Sequence, residues 1–242
     1  MIKKTLLLTT VLFTSLYAYT NFSQYETKVD SINGKYLQIN DSTNFKIGSS
    51  GILIHDFDTQ HSTIVSRVEV IDKKEGKATL SYKKFNDLEQ NALPTYNIAP
   101  AVGDKVILNY LYTKSMAIVP DSQTLKSVTN KFSQVDWVHP DIFASKLAID
   151  YTPKPEKEDF QQECKNNSFS LLFFAIENSG YFVDCNSFKI LYKVEINNQS
   201  TEKPQTPFFN RIGDIKGRMF GLMGGKSMND YNDYYKKLLN VR

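Results

Sequence analysis

Between Asn21 and about Ala117 the sequence breaks into short segments of strand type. They include "TKVDSING", "YLQINDS", "SGILIHDF", "TIVSRVEVID", "KATLSYKKF" and "DKVILNYLY", separated by Gly, Asn and Asp. Successive side chains of a strand point to opposite faces, so segments this short bury an apolar face only by pairing with one another. Their close spacing predicts a meander or a small barrel. Arg67 and Glu69 alternate only imperfectly with Val65, Val68 and Val70, which predicts a bulge or a strand buried on both faces. The longest irregular connection is "LEQNALPTYNIAPAVGD", of a length at which loops often carry function.

After "SMAIVP" the period changes from two to that of a helix: Asp121 is placed as an N-cap, followed by Leu125, Val128 and Phe132. A short strand, "QVDWV", precedes a helix opened by "HPDIFASKL", where Pro140 suits the first turn. "TPKPEKED" leads into a third helix with Phe160 and Cys164 on one face, four residues apart. "FSLLFFAIENSGYFVDCNSFKILYKVEI" predicts a three-stranded meander turning at Asn178-Ser179-Gly180 and Cys185-Asn186-Ser187. "NNQSTEKPQTPFFN" has the composition of an extended linker. Beyond it, Met228, Tyr231, Tyr234, Tyr235 and Leu238 line one side of a helix capped by Ser227 or Asp230 and folded back on the body. The fold class expected is therefore α+β. A leader spans 1–18, a β-rich domain 19–114, an α/β domain 115–197, and a linker with a C-terminal helix 198–242.

The leader expectation rests on Lys3 and Lys4 before an apolar run from Leu6 to Leu16, ending at the small Ala18, the pattern of a secretory signal peptide. The run is shorter than the roughly 20 residues that span a bilayer, and no later run approaches that length. The mature chain is therefore expected to carry no integral span. Removing Lys3 and Lys4 leaves 27 basic against 26 acidic residues, a balance that does not suit a nucleic-acid partner. The basic excess lies in residues 199–242, with eight Lys or Arg against four Asp or Glu. Cys164 and Cys185 are the two cysteines, and in an oxidising compartment one disulfide is the economical reading, with two buried free thiols the alternative.

The stretch most suggestive of catalysis is "HDFDTQH", which holds two of the three histidines, His55 and His61, with Asp56 and Asp58. Strand alternation puts His55 and Phe57 on one face and Ile54, Asp56 and Asp58 on the other, so the four ligand types do not converge. A catalytic zinc needs three protein ligands, and nothing places His139 or a carboxylate as the third. The stretch reads as a polar hairpin tip, with a metal-dependent hydrolase as the weakest of three functional readings. "FGLMGGKS" misses the phosphate-loop spacing, because Phe220 stands where the first glycine is required. "GSSG" at 48–51 precedes a strand instead of forming a strand-to-helix elbow. No cofactor is expected, and the chain reads as non-catalytic.

The ordered set "GSSGIL", "NALP", "AVGDKVILNYLYTKSMAIVPD", "HPDIFASKL", "PKPEKEDFQQEC", "LLFFAIENSGYFVDCNSFKIL" and "DYNDYYKKLL" resembles the N-terminal domain family of bacterial plasminogen-binding surface proteins. The resemblance implies a secreted protein of the cell surface or periplasm that captures host plasminogen and has no catalysis of its own. Such capture implies an exposed ammonium or guanidinium beside a carboxylate, to enter a lysine site built from a carboxylate pair and an aromatic trough. The cations expected to serve are Lys236, Lys237 and Arg242, with Lys83 and Lys84 next. A solvated helix end, where cations complement the macrodipole, is the plain alternative for the first two. The competing reading of the whole chain is a periplasmic structural or assembly module holding an envelope partner without a host ligand.

Overall fold

The computed structural model describes residues 22–86, 98–196, 200–217 and 228–242. The expected leader, most of the long irregular connection and the "FGLMGGKS" bend lie outside the described residues. Among those described, strands β1 (Tyr25–Lys28), β2 (Ser31–Asn33), β3 (Tyr36–Asn40), β4 (Ser50–Asp56), β5 (Ser62–Lys74), β6 (Lys77–Lys84) and β7 (Lys105–Leu108) form one antiparallel sheet in the order β1-β7-β4-β5-β6-β3-β2. The sheet curls until β1 comes back against β3, forming a half-barrel. Its concave side is closed by Leu37, Ile39, Phe45, Leu53, Val68, Val70, Leu80, Val106 and Leu108, all nearly or fully buried.

This sheet is not a simple meander. β7 enters between β1 and β4, pairing Tyr25 with Leu108 on one side and Gly51 with Leu108 on the other. Gly51 permits the approach, because a Cβ there would lie 2.1 Å from the Ile107 carbonyl oxygen. The imperfect alternation around Arg67 and Glu69 corresponds to register shifts in both ladders of β5, at Leu53/Ile54 and at Val70/Asp72.

The second sheet is built from β8 (Lys114–Ile118), β9 (Asp136–Val138), β10 (Leu171–Ile176), β11 (Ser179–Asp184) and β12 (Ile190–Glu195), in the order β12-β11-β10-β8-β9. β8 is parallel to β9 and to β10. Parallel neighbours need crossover connections, supplied by α1 (Ser122–Lys131) in the first case and by α2 (Asp141–Asp150) with α3 (Lys157–Asn166) in the second. Asp121 caps α1 as its sequence position predicts, accepting from the Thr124 amide at 2.8 Å.

β10 is buried on both faces and divides two cores by strict alternation. Leu171, Phe173 and Ala175 face Phe22, Val128, Phe132 and Phe182. Leu172, Phe174 and Ile176 face Phe143, Phe160, Phe208, Tyr231 and Tyr235. The first meander turn falls on Glu177 and Asn178, with Ile176 paired to Ser179. Gly180 lies inside β11 instead of the turn, since a Cβ there would meet the Phe173 ring at 2.3 Å.

Two segments cross the expected boundaries. Phe22 packs on Phe182 with ring centroids 4.7 Å apart, tying the start of the β-rich region to the second sheet. Within the expected linker, the Gln205 and Phe209 amides donate to the Pro120 and Val119 carbonyls at 2.7 and 2.8 Å, and Phe208 is fully buried. The linker is therefore docked over this stretch, because Phe208 completes a stacked pair with Phe143. The last helix, α4 (Tyr231–Leu239), closes the same core. No helix among the described residues is long and apolar enough to cross a membrane.

Candidate functional site

α4 is held by its aromatic face. Asp230 caps it, accepting from the Asp233 amide at 2.8 Å. Three phenols then donate to backbone carbonyls: Tyr231 to Ile118 at 2.7 Å, Tyr234 to Pro155 at 2.7 Å and Tyr235 to Pro207 at 2.9 Å. Burial raises all three phenols, that of Tyr234 to about 12. They therefore remain donors throughout the physiological range. Buried hydroxyls that find acceptors fix the roll of a helix as well as its position. The side chains facing away from the core are consequently presented in a set orientation.

Those side chains include two of the expected cations, Lys236 and Lys237, and the structure separates them. Lys236 is ion-paired with Glu177, which holds the ammonium above its ordinary pKa through a direct hydrogen bond. Asn232 holds the same turn, accepting from the Glu177 amide at 3.0 Å. Lys237 is exposed and has no carboxylate within ion-pair distance among the described residues. Asp233 stands one helical turn before it, the favourable order for an acid and a base on a helix. Arg242 is exposed, two residues beyond the αL cap at Asn240.

Lys237 does not stand alone. Together with Lys154, Asp230, Asp233 and Tyr234 it lines an open hollow of about 500 Å³. The Lys154 ammonium lies 5.2 Å from the centroid of the Tyr234 ring. Pro153 and Pro155 are buried on either side of the exposed Lys154, so the chain presents this lysine outward. Two ammonium groups and two carboxylates thus surround one tyrosine. Sequence reasoning assigned Lys236, Lys237 and Arg242 but missed Lys154, whose only local signal is its place between two prolines.

The other candidate chemistry disperses. His55 Nδ1 lies 2.8 Å from Asp104 Oδ1, and His61 Nδ1 lies 2.8 Å from Asp58 Oδ2. The Asp58 carboxylate also accepts from the Gln60 and His61 amides at 2.7 and 2.8 Å, which closes the hairpin tip and lowers its pKa. His139 belongs to a third place, beside Asp141 at the start of α2. No group of three or more His, Cys, Asp or Glu side chains among the described residues is placed to hold a metal ion. Cys164 and Cys185 form a disulfide that ties α3 to the end of β11.

The chain matches the family described as plasminogen-binding protein PgbA, N-terminal, over residues 24–239. It belongs to that family. Two relatives, each named plasminogen-binding protein PgbA, come from Helicobacter pylori strains J99 and 26695. Each is 24% identical over 196 residues, covering 80% of this chain and 42% of the relative. The chain thus spans less than half the length of the curated relatives it matches. No solved structure matches. The matched range includes the whole of α4 and the hollow beside it. Both relatives are named for binding and not for a reaction.

Proposed function

We propose that this chain is an exported, non-catalytic protein of the cell surface or envelope that captures plasminogen through cations on and beside α4. Lys237 is the principal contact, and Lys236, Arg242 and Lys154 support it. The observation that carries this reading is membership, over residues 24–239, of a family whose relatives are named for plasminogen binding. The geometry supports the location. A lysine site accepts an ammonium accompanied by a carboxylate, and the hollow offers Lys237 with Asp233 on a helix that its tyrosines hold still. A rigid support leaves only the lysine side chain to be ordered on binding, which lowers the entropic cost. Lys236 contributes less, because Glu177 must first release it.

The leader-like residues 1–18 support export, which would bring the chain to the plasminogen it binds. The test is displacement. Plasminogen bound to the immobilised chain should be released by a free lysine analogue such as 6-aminohexanoate, and binding that survives saturating analogue would contradict the reading.

A further inference from the structure

α2 is apolar on both sides. Phe143, Ala144 and Leu147 enter the core shared with α4, while Ile142 and Ile149 face outward, 48% and 75% exposed. These two lie seven residues apart, almost two full turns, and so share one face, with the half-buried Ser145 and Lys146 between them. Tyr151, which caps the helix, and Ile212, beside its start, are exposed as well. Of the eight exposed large hydrophobic side chains among the described residues, four therefore gather on α2 and at its two ends. A helix that is hydrophobic all round is ordinarily covered all round, and a gathered apolar patch marks an interaction surface.

The charges around this stripe indicate what covers it. At the start of α2, Asp141 accepts from the Arg211 amide and from Arg211 Nε at 2.9 and 2.7 Å, with His139 beside it. That carboxylate is largely covered, whereas the Arg211 side chain is exposed and has no second carboxylate within ion-pair distance among the described residues. At the far end, Asp150 Oδ2 accepts from Lys146 Nζ at 2.6 Å, and the half-exposed carboxylate keeps Oδ1 for another donor. The outer face thus runs from a guanidinium, past two isoleucines, to a carboxylate. Such a pattern complements itself when reversed. With Ile142 set against Ile149 of a second copy, Arg211 meets Asp150 of that copy, and the two-fold repeats both contacts.

We propose that α2 is the contact of a two-fold dimer of this chain, its outer face packed antiparallel on α2 of a second copy. The surface shares no residue with α4 or the hollow beside it, so the proposal stands apart from the plasminogen reading. A helix of 10 residues is about 15 Å long, so the contact falls below the roughly 1,200 Å² of stable complexes, and the dimer forms and dissociates readily. A pair carries two α4 helices, and a partner with two lysine sites would be held at both.

Sedimentation of the full chain between about 10 μM and about 1 mM tests it, over the range suited to a small contact. The chain should shift from monomer to dimer with concentration, and Ile149→Glu should weaken association at least ten-fold. Asp150→Arg and Arg211→Glu should each weaken it by setting like charges together, and an equimolar mixture of these two variants should associate again. Lys236→Ala with Lys237→Ala should dimerise like the unaltered chain. The proposal is overturned by a chain that stays monomeric throughout, by a dimer that Ile149→Glu leaves intact or the double lysine variant loses, or by a mixture that does not recover. Flotation of a monomeric chain with lipid vesicles, lost in Ile149→Glu, would overturn it in favour of a membrane surface.

Discussion

The Ser50 hydroxyl donates to the Asp184 carboxylate at 2.5 Å, joining the first residue of β4 to the last residue of β11 across 134 residues of sequence. Tyr112 donates to the same carboxylate oxygen at 2.6 Å while accepting from the Ser50 amide at 3.0 Å. The Ser187 amide supplies a third donor at 2.6 Å. Asp184, at the end of β11 in the second sheet, is fully buried, and its carboxylate collects donors from the first sheet, from the segment between β7 and β8 and from the turn that follows it. The Ser187 hydroxyl adds a bond to the Gly48 carbonyl at 2.7 Å, and Lys189 pairs with Glu69 at 3.0 Å. The junction of the two sheets is therefore polar and specific in register.

Asp184→Ala strands donors that burial keeps from water. At about 1–3 kcal/mol for each unsatisfied buried donor, with the two hydroxyls free to turn, the loss should be about 2–4 kcal/mol. Urea unfolding measures it, and a loss below about 0.5 kcal/mol would contradict the role assigned to Asp184.

Burial raises the Asp184 carboxyl above the ordinary carboxylate range, although the donors of Ser187, Ser50 and Tyr112 oppose the rise. A raised folded-state pKa means that the folded chain holds this proton more tightly than the unfolded chain. Its contribution to stability therefore improves as pH falls through the folded value toward about 4. Tyr112, the titratable group that donates to Asp184, is itself raised by burial and does not titrate as the pH falls toward that value. As the pH falls toward about 4, the stability of the wild type relative to Asp184→Asn should rise. A pH-independent difference in urea unfolding would contradict this.

The Cys164–Cys185 bridge closes a separation of 21 residues. In the chain-entropy model, losing such a constraint costs about 3 kcal/mol. Cys164→Ser with Cys185→Ser should accordingly lower Tm by about 6–12 °C, at about 2–4 °C per kcal/mol for a chain of this size. Calorimetry of oxidised and double-variant protein checks it, and equal melting would refute it.

Tyr235→Ala removes a fully buried ring that packs on Phe174, with centroids 5.3 Å apart, and should cost about 3–5 kcal/mol. Tyr235→Phe removes only the bond to Pro207 and should cost about 0.5–1.5 kcal/mol. Hydrogen exchange should report faster opening of α4 in the alanine variant and near-native protection in the phenylalanine variant.

What the sequence made legible was local. The Asp121 and Asp230 caps, the helix that follows each, the alternation along β10 and the polar tip at Asp58 all follow from residues within a few positions of one another. What it concealed was non-local. Nothing near Tyr25 signals pairing with Leu108, because that ladder joins strands about eighty residues apart. Phe208 sits in a stretch of linker composition, and its burial depends on Phe143 arriving from another element. Gly180 has turn composition but is needed in β11 to admit the Phe173 ring. At the candidate site, the cations of α4 were visible as a tail of positive charge, whereas the Glu177 partner of Lys236 and the neighbouring Lys154 are brought there only by the tertiary fold.

The most direct test of the plasminogen reading is equilibrium binding of plasminogen to the folded chain and to three variants. Lys237→Ala should weaken binding several-fold, and Lys236→Ala should weaken it less, because Glu177 already occupies that ammonium. The combination of Lys236→Ala, Lys237→Ala and Arg242→Ala should reduce binding at least ten-fold, which corresponds to about 1.4 kcal/mol. Wild-type affinity in the triple variant, with α4 still protected from hydrogen exchange, would contradict the assignment of plasminogen capture to this helix.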